Sequence, residues 1–135
     1  MHPSTSLGGS EPLARFLTQH NQYKTSIHAV RPNAFIPPES DLCLSVSLVT
    51  GMNCQQILSY GQISVINVML YPPILYGFAS IRVIDVEETS LTVVFDNKPR
   101  GHVSITGWPD DKSIRKLLSI KLASKAKLVL KEDCI

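Results

Sequence analysis

Alternation is clearest in LCLSVSLV (42–49), where Leu42, Leu44, Val46 and Leu48 fall on one side of an extended chain and Cys43, Ser45 and Ser47 on the other. A period of two predicts a strand with one buried face. The opposite face is small and polar, so it should border solvent or a shallow cavity. Further apolar runs predict strands over 24–30, 63–70, 77–87, 91–96 and 102–106, with KLVL (127–130) as a last strand. The runs 77–87, 91–96 and 102–106, linked through 88–90 and 97–101, read as an antiparallel meander.

Helical spacing occurs in three places. Leu13, Phe16 and Leu17 stand at i, i+3 and i+4 and predict a helix over 11–23. Asn53 followed by Gln56 has the form of a capping box, which predicts a helix over 54–60 that stops at Gly61. A third helix should run from about 110 to 125. Ahead of it Gly107 breaks the strand, Pro109 ends it, and Asp110 or Asp111 caps the helix and complements its dipole. The three prolines of 31–40 make an extended connector. The pattern predicts a single-domain α+β fold, a mostly antiparallel sheet with two or three helices packed on it. The domain spans 11–131, with a flexible tail at 1–10 and a short one at 132–135.

Composition narrows the classes. Apolar residues make up 44% of the chain against 18% charged, which is globular rather than disordered. A net charge of +2 calls for no polyanionic partner. Charge is absent altogether from Leu42 to Ile81. Within that stretch ISVINVMLYPPILYGFASI (63–81) is long enough to raise a membrane span. Pro72 and Pro73 sit at its centre and Gln62, Ser64, Asn67 and Ser80 interrupt or border it, so two buried strands meeting at the prolines explain it better. Cys43, Cys54 and Cys134 are an odd number without a CxxC pair, so neither a disulfide framework nor structural zinc is expected. The same cysteine usage makes a reducing, cytoplasmic location the expectation, and residues 1–16 carry no basic or apolar leader signal.

The candidate chemistry centres on the strand HVSIT (102–106). His102, Ser104 and Thr106 share one face, and Asp96 on the preceding strand would complete a base, a nucleophile and an acid. The same alternation describes the solvent face of an ordinary hairpin. Cys54 at a helix start would feel the helix dipole, which favours a reactive thiolate. Cys43 reads as a core residue and Cys134 as exposed and without a role. The acidic group Asp85, Glu87, Glu88 and Asp96 lacks any spaced loop motif for a cation. No P-loop, GxGxxG or HExxH is present, and no metal or cofactor is expected.

Between 110 and 131 seven Lys/Arg stand against two Asp, and Lys112, Arg115 and Lys116 cluster on one side of the helix. Nucleic-acid binding through them is one reading. Lys121 and Lys125 fall elsewhere and no aromatic residue interleaves, which weakens it. The chain resembles a family of small bacterial proteins of unassigned activity. The resemblance rests on AFIPP leading into LSVSLV, the short capped helix after it, and HVSITGWP opening the last helix, across about residues 24–130. It implies a compact cytosolic domain and carries no activity.

The leading expectation is a non-enzymatic module that associates with a protein partner or with itself, a dimer being favoured, without membrane insertion. The uncharged 42–81 stretch is more apolar surface than one small core hides. Tyr60, Tyr71, Tyr76 and Trp108 are the expected anchors. A small enzyme or ligand-binding protein built around His102, with Cys54, Ser104 or Asp96 in support, is the alternative.

Overall fold

PLARFL, the run with helical spacing, is a strand, β1 (Pro12–Leu17), in the computed structural model of the chain, which describes residues 7–134. It lies inside the sheet, so Leu13 and Leu17 enter one core while Ala14 and Phe16 enter another. A strand buried on both faces loses its alternation, and its match to a helical template is a coincidence of spacing.

The two short strands β2 (Tyr23–Lys24) and β3 (Ala29–Val30) pair with each other where 24–30 predicts one strand. A 3-10 turn, Pro32–Phe35, occupies the proline-rich connector. Then come β4 (Leu44–Leu48), α1 (Cys54–Tyr60), β5 (Gly77–Arg82), α2 (Val83–Glu87), β6 (Thr92–Val94), β7 (His102–Thr106), α3 (Lys112–Lys125) and β8 (Lys127–Leu130). The main sheet has the order β6-β7-β4-β1-β5-β8, and every pairing in it is antiparallel. The fold is therefore α+β, a six-stranded antiparallel sheet with three helices among the described residues.

Three departures from the sequence pattern have physical causes. β5 does not join β6 and β7 in a meander: it pairs with β1 and β8, and α2 follows it directly. The helix forms because the Asp85 carboxylate reaches back to accept from the Arg82 backbone and guanidinium at 3.1–3.2 Å, closing a capping box. Residues 63–70 are not a strand either, because Gly61 does not stop α1. It keeps right-handed helical geometry at φ −60°, and the chain continues through a π-helical turn, Gly61–Ile66. Glycine is needed there because a side chain would strike the Phe16 ring. In α3, Ser119, Leu122 and Ala123 face inward, while Ile114, Leu117 and Ile120 stay exposed.

Each sheet face carries its own core. One packs Leu13, Leu44, Val46, Ile81, Val103 and Ile105 under α3 and the Pro32–Phe35 turn, with Trp108 and Phe35 inside it. The Ser119 hydroxyl donates to the Phe35 carbonyl at 2.7 Å and fastens α3 to that turn. The other packs Ala14, Phe16, Val49 and Phe78 under α1 and the 61–75 segment, through Ile57, Ile66 and Leu75. That second cover reaches only part of its face. The tail expected at 1–10 falls outside the described residues as far as residue 6, and beyond it the Gly9 carbonyl accepts from the Ile84 amide at 2.9 Å.

Cys54 and Cys134 form a disulfide across 80 residues of chain, which corrects the expectation of unpaired cysteines. Spacing could not show it, since the pairing depends on where β8 lies. After β8 the chain turns through Lys131–Cys134, with the Leu130 amide donating to the Asp133 carboxylate at 2.8 Å. Gln55 then donates to the Cys134 carbonyl at 3.0 Å. The C-terminal segment is thus tied to α1 rather than trailing as a tail from 132. A cross-link over so long a loop restricts the unfolded chain, and its loss should cost roughly 2–4 kcal/mol. Thermal melts with and without reductant are expected to separate for the native chain and to coincide, at the lower temperature, for Cys134→Ser. Coincident melts for the native chain would show that the bond adds nothing.

Candidate functional site

Alternation on β4 and β7 brings small polar side chains together. The register sets Ser47 opposite His102 and Ser45 opposite Ser104, so all four lie on the sheet face away from Val46, Val103 and Ile105. Asp96, just past β6, supplies the acid. Its Oδ1 accepts from His102 Nδ1 at 2.6 Å and its Oδ2 accepts from Ser104 Oγ at 2.7 Å. A carboxylate only accepts, so the imidazole proton facing it sits on Nδ1. Partial burial pushes the Asp96 carboxyl up, but the hydrogen bonds from His102 and Ser104, with the attraction of the imidazole, outweigh it. The group lies below the usual carboxylate range.

Three of the four candidate catalytic residues therefore meet, in an order that does not activate a nucleophile. Activation of serine needs the imidazole between hydroxyl and carboxylate. Here the carboxylate stands between the other two, and a carboxyl with a lowered pKa is a poor base for Ser104. Cys54 is outside the group: it begins α1 and is held by Cys134, so it has no thiol to offer. Thr106 shares the strand face but makes no side-chain hydrogen bond among the described residues.

Of the aromatic residues, Trp108 lies in the larger core, its indole N–H donating to the Ile105 carbonyl at 3.0 Å. It cannot anchor a partner from there. Tyr60 is half-buried and donates to the Arg100 carbonyl at 2.7 Å. Tyr76 packs against His20 with ring centroids 4.3 Å apart. Tyr71 alone stands clear, 85% exposed. Among the basic residues of α3, Arg115 is spent on structure: it bonds the Pro109 and Asp110 carbonyls and pairs with Glu39 at 2.9 Å. Lys112 and Lys116 remain exposed.

Arg15 was not legible as a site residue, because PLARFL reads as a helix. On β1 it sits where β1 and β4 part. The two strands hold only the pairs Leu13↔Leu48 and Ala14↔Ser47. Beyond them Arg15 spans the gap, Nε donating to the Ala34 carbonyl and Nη1 to the Ser45 carbonyl, both at 2.9 Å. Burial pushes the guanidinium down to about 10. A cleft of about 180 Å³ opens at this gap, lined by Arg15, Thr18, Ser45, Ser47 and His102 on its polar side. The signal that could have found it is a lone arginine inside an otherwise apolar run.

The Asp96 cluster makes a pH prediction. Its folded-state pKa is depressed, so its contribution to stability is complete above the ordinary carboxylate range and is lost as pH falls through the lowered value. The carboxylate is about a third exposed, so solvent screening holds the contribution to about 1 kcal/mol or less. Asp96→Asn should melt a few degrees below the native chain at neutral pH, and the gap should close in strong acid. A gap independent of pH would mean that the charge contributes nothing.

No protein-family model matches this chain, and neither a curated protein nor a solved structure is similar to it, so its function has to be argued from its own surfaces.

Proposed function

We propose that this protein works by association, docking a second copy of itself through the apolar segment 63–74. The observation that carries the reading is the exposure of that segment. Ile63, Val68, Met69, Leu70, Tyr71 and Ile74 are all exposed, Leu70 and Tyr71 at 85% each. So many large apolar side chains exposed within one short segment are the mark of an interaction surface.

The segment is built to present these residues. Ile66 and Leu75 are fully buried and pin its two ends into the lower core. The Asn67 amide donates to the Gln62 carbonyl at 2.9 Å, and the Gln62 side chain returns to the Asn67 carboxamide at 2.7 Å. Pro72 and Pro73 stiffen what lies between, which lowers the entropy lost on docking. Second copies fit because the segment carries no charge: the same patch can meet itself about a two-fold axis without like-charge repulsion.

Catalysis by the His102 cluster is disfavoured by its hydrogen-bond order, and nucleic-acid binding by the engagement of Arg115. No helix among the described residues is long and apolar enough to cross a membrane. The cytosolic location expected from the cysteine count is carried no further, since a disulfide persists where thiols are not kept reduced.

Sedimentation velocity across a concentration series tests the reading. The native chain should show a reversible dimer. The double substitution Leu70→Ser, Tyr71→Ser should weaken it by about a hundredfold or more with an unchanged melting temperature, since both side chains are exposed. A native chain that stays monomeric, or one that instead floats with lipid vesicles, would overturn it.

A further inference from the structure

The cleft beside Arg15 is the one place among the described residues where a partly buried lysine or arginine lacks a carboxylate. The ion pairs are His28–Asp133, Arg82–Asp85, His102–Asp96 and Arg115–Glu39, and none involves Arg15. No acidic residue lines the cleft. A guanidinium has five N–H donors, and the Ala34 and Ser45 carbonyls take two of them. A purely structural brace between β1 and β4 accounts for those two. It leaves Nη2 without a protein partner, and that nitrogen is not sealed from solvent, so it is open to an acceptor from outside.

The rest of the lining describes what would supply the missing charge. The hydroxyls of Thr18, Ser45 and Ser47 and the imidazole of His102 stand on the polar side, against Phe16, Val46, Val65, Ile66 and Met69 on the other. Asp96 holds His102 through Nδ1, which leaves Nε2 as the ring nitrogen for a ligand. A volume of about 180 Å³ is below the ~300 Å³ at which drug-sized pockets begin. We propose that the cleft binds a small organic carboxylate, its oxygens on the Arg15 guanidinium and its apolar body against Phe16, Val65, Ile66 and Met69. Phosphate shares the attraction to arginine, but its surface is polar on every side and would strand oxygens against that apolar wall. Guanidinium and carboxylate match in two parallel hydrogen bonds, a geometry lysine cannot reproduce. The proposal does not rest on self-association, although Met69 lines the cleft and also belongs to the exposed segment.

Amide chemical shifts of the native, ¹⁵N-labelled chain, titrated with butyrate, acetate and inorganic phosphate, test it without any substitution. Butyrate should give saturable shifts at Thr18, Ser45 and Ser47, at lower concentration than acetate, with phosphate weakest. Arg15→Lys should weaken butyrate by about tenfold or more. Should that variant not fold, Met69→Ala decides: it should weaken butyrate and leave acetate unchanged. The proposal falls if no ligand saturates the cleft, if phosphate binds more tightly than butyrate, if shifts gather at Lys112 and Lys116 instead, or if Met69→Ala affects both acids equally or neither.

Discussion

β1 shares six residue pairs with β5 and two with β4, and that inequality governs much else in the molecule. The long ladder with β5 fixes β1 in the interior and commits Leu13 and Leu17 to one core and Ala14 and Phe16 to the other. The short ladder leaves a seam. Backbone groups along a seam must find partners, and Arg15 supplies two of them by reaching across to the Ala34 and Ser45 carbonyls. A strand residue with a long, multiply donating side chain is a natural bridge at such a place. Its charge then lies half-buried at the seam, and a structural repair becomes a potential binding group.

The two faces of the sheet are covered unequally. On the larger-core side, α3 and the Pro32–Phe35 turn meet the strands through Leu122, Ala123, Phe35 and Trp108. On the other side, α1 and the 61–75 segment cover only the half above Phe16 and Phe78, and the half above β4 and β7 is polar. Ser47 and Ser104 are buried there all the same, Ser104 donating to Asp96, while Ser45 stays exposed. Between Ile66 and Leu75 the apolar side chains of Val68, Met69, Leu70, Tyr71 and Ile74 stay outside.

How much of this was legible in the sequence follows from the range of each interaction. The strand around Leu44–Leu48, the capping box of Asn53 and Gln56, the 92–106 hairpin and the Asp111-capped helix are set by neighbours in sequence, and the pattern finds them. The meeting of Asp96, His102 and Ser104 was legible for the same reason, since one hairpin carries all three. β1 was misread because burial on both faces erases a period of two. Residues 63–70 were misread because apolar content was equated with burial, when Ile63, Val68, Met69 and Leu70 are exposed. The Cys54–Cys134 bond and the Arg15 bridge join parts of the chain far apart in sequence, and no local pattern records them. α3 shows the limit most plainly: Ile114 and Leu117 have helical spacing, yet the packed stripe is the one containing Ser119, whose hydroxyl finds the Phe35 carbonyl.

Met69 belongs to both surfaces discussed above. It is one of the exposed residues of the 63–74 segment and also one wall of the Arg15 cleft, beside the buried Ile66 that anchors the segment. A partner pressed onto the segment would limit where the Met69 side chain can lie, and a ligand in the cleft would do the same from the other side. Methionine suits that position, because its unbranched, flexible side chain can serve two packings. Any such effect must be reciprocal: if docking favours the Met69 position that a bound carboxylate requires, the carboxylate favours docking by the same factor. The two surfaces share that one thioether side chain. The His102–Asp96 pair and the Arg15 bridge are held by hydrogen bonds.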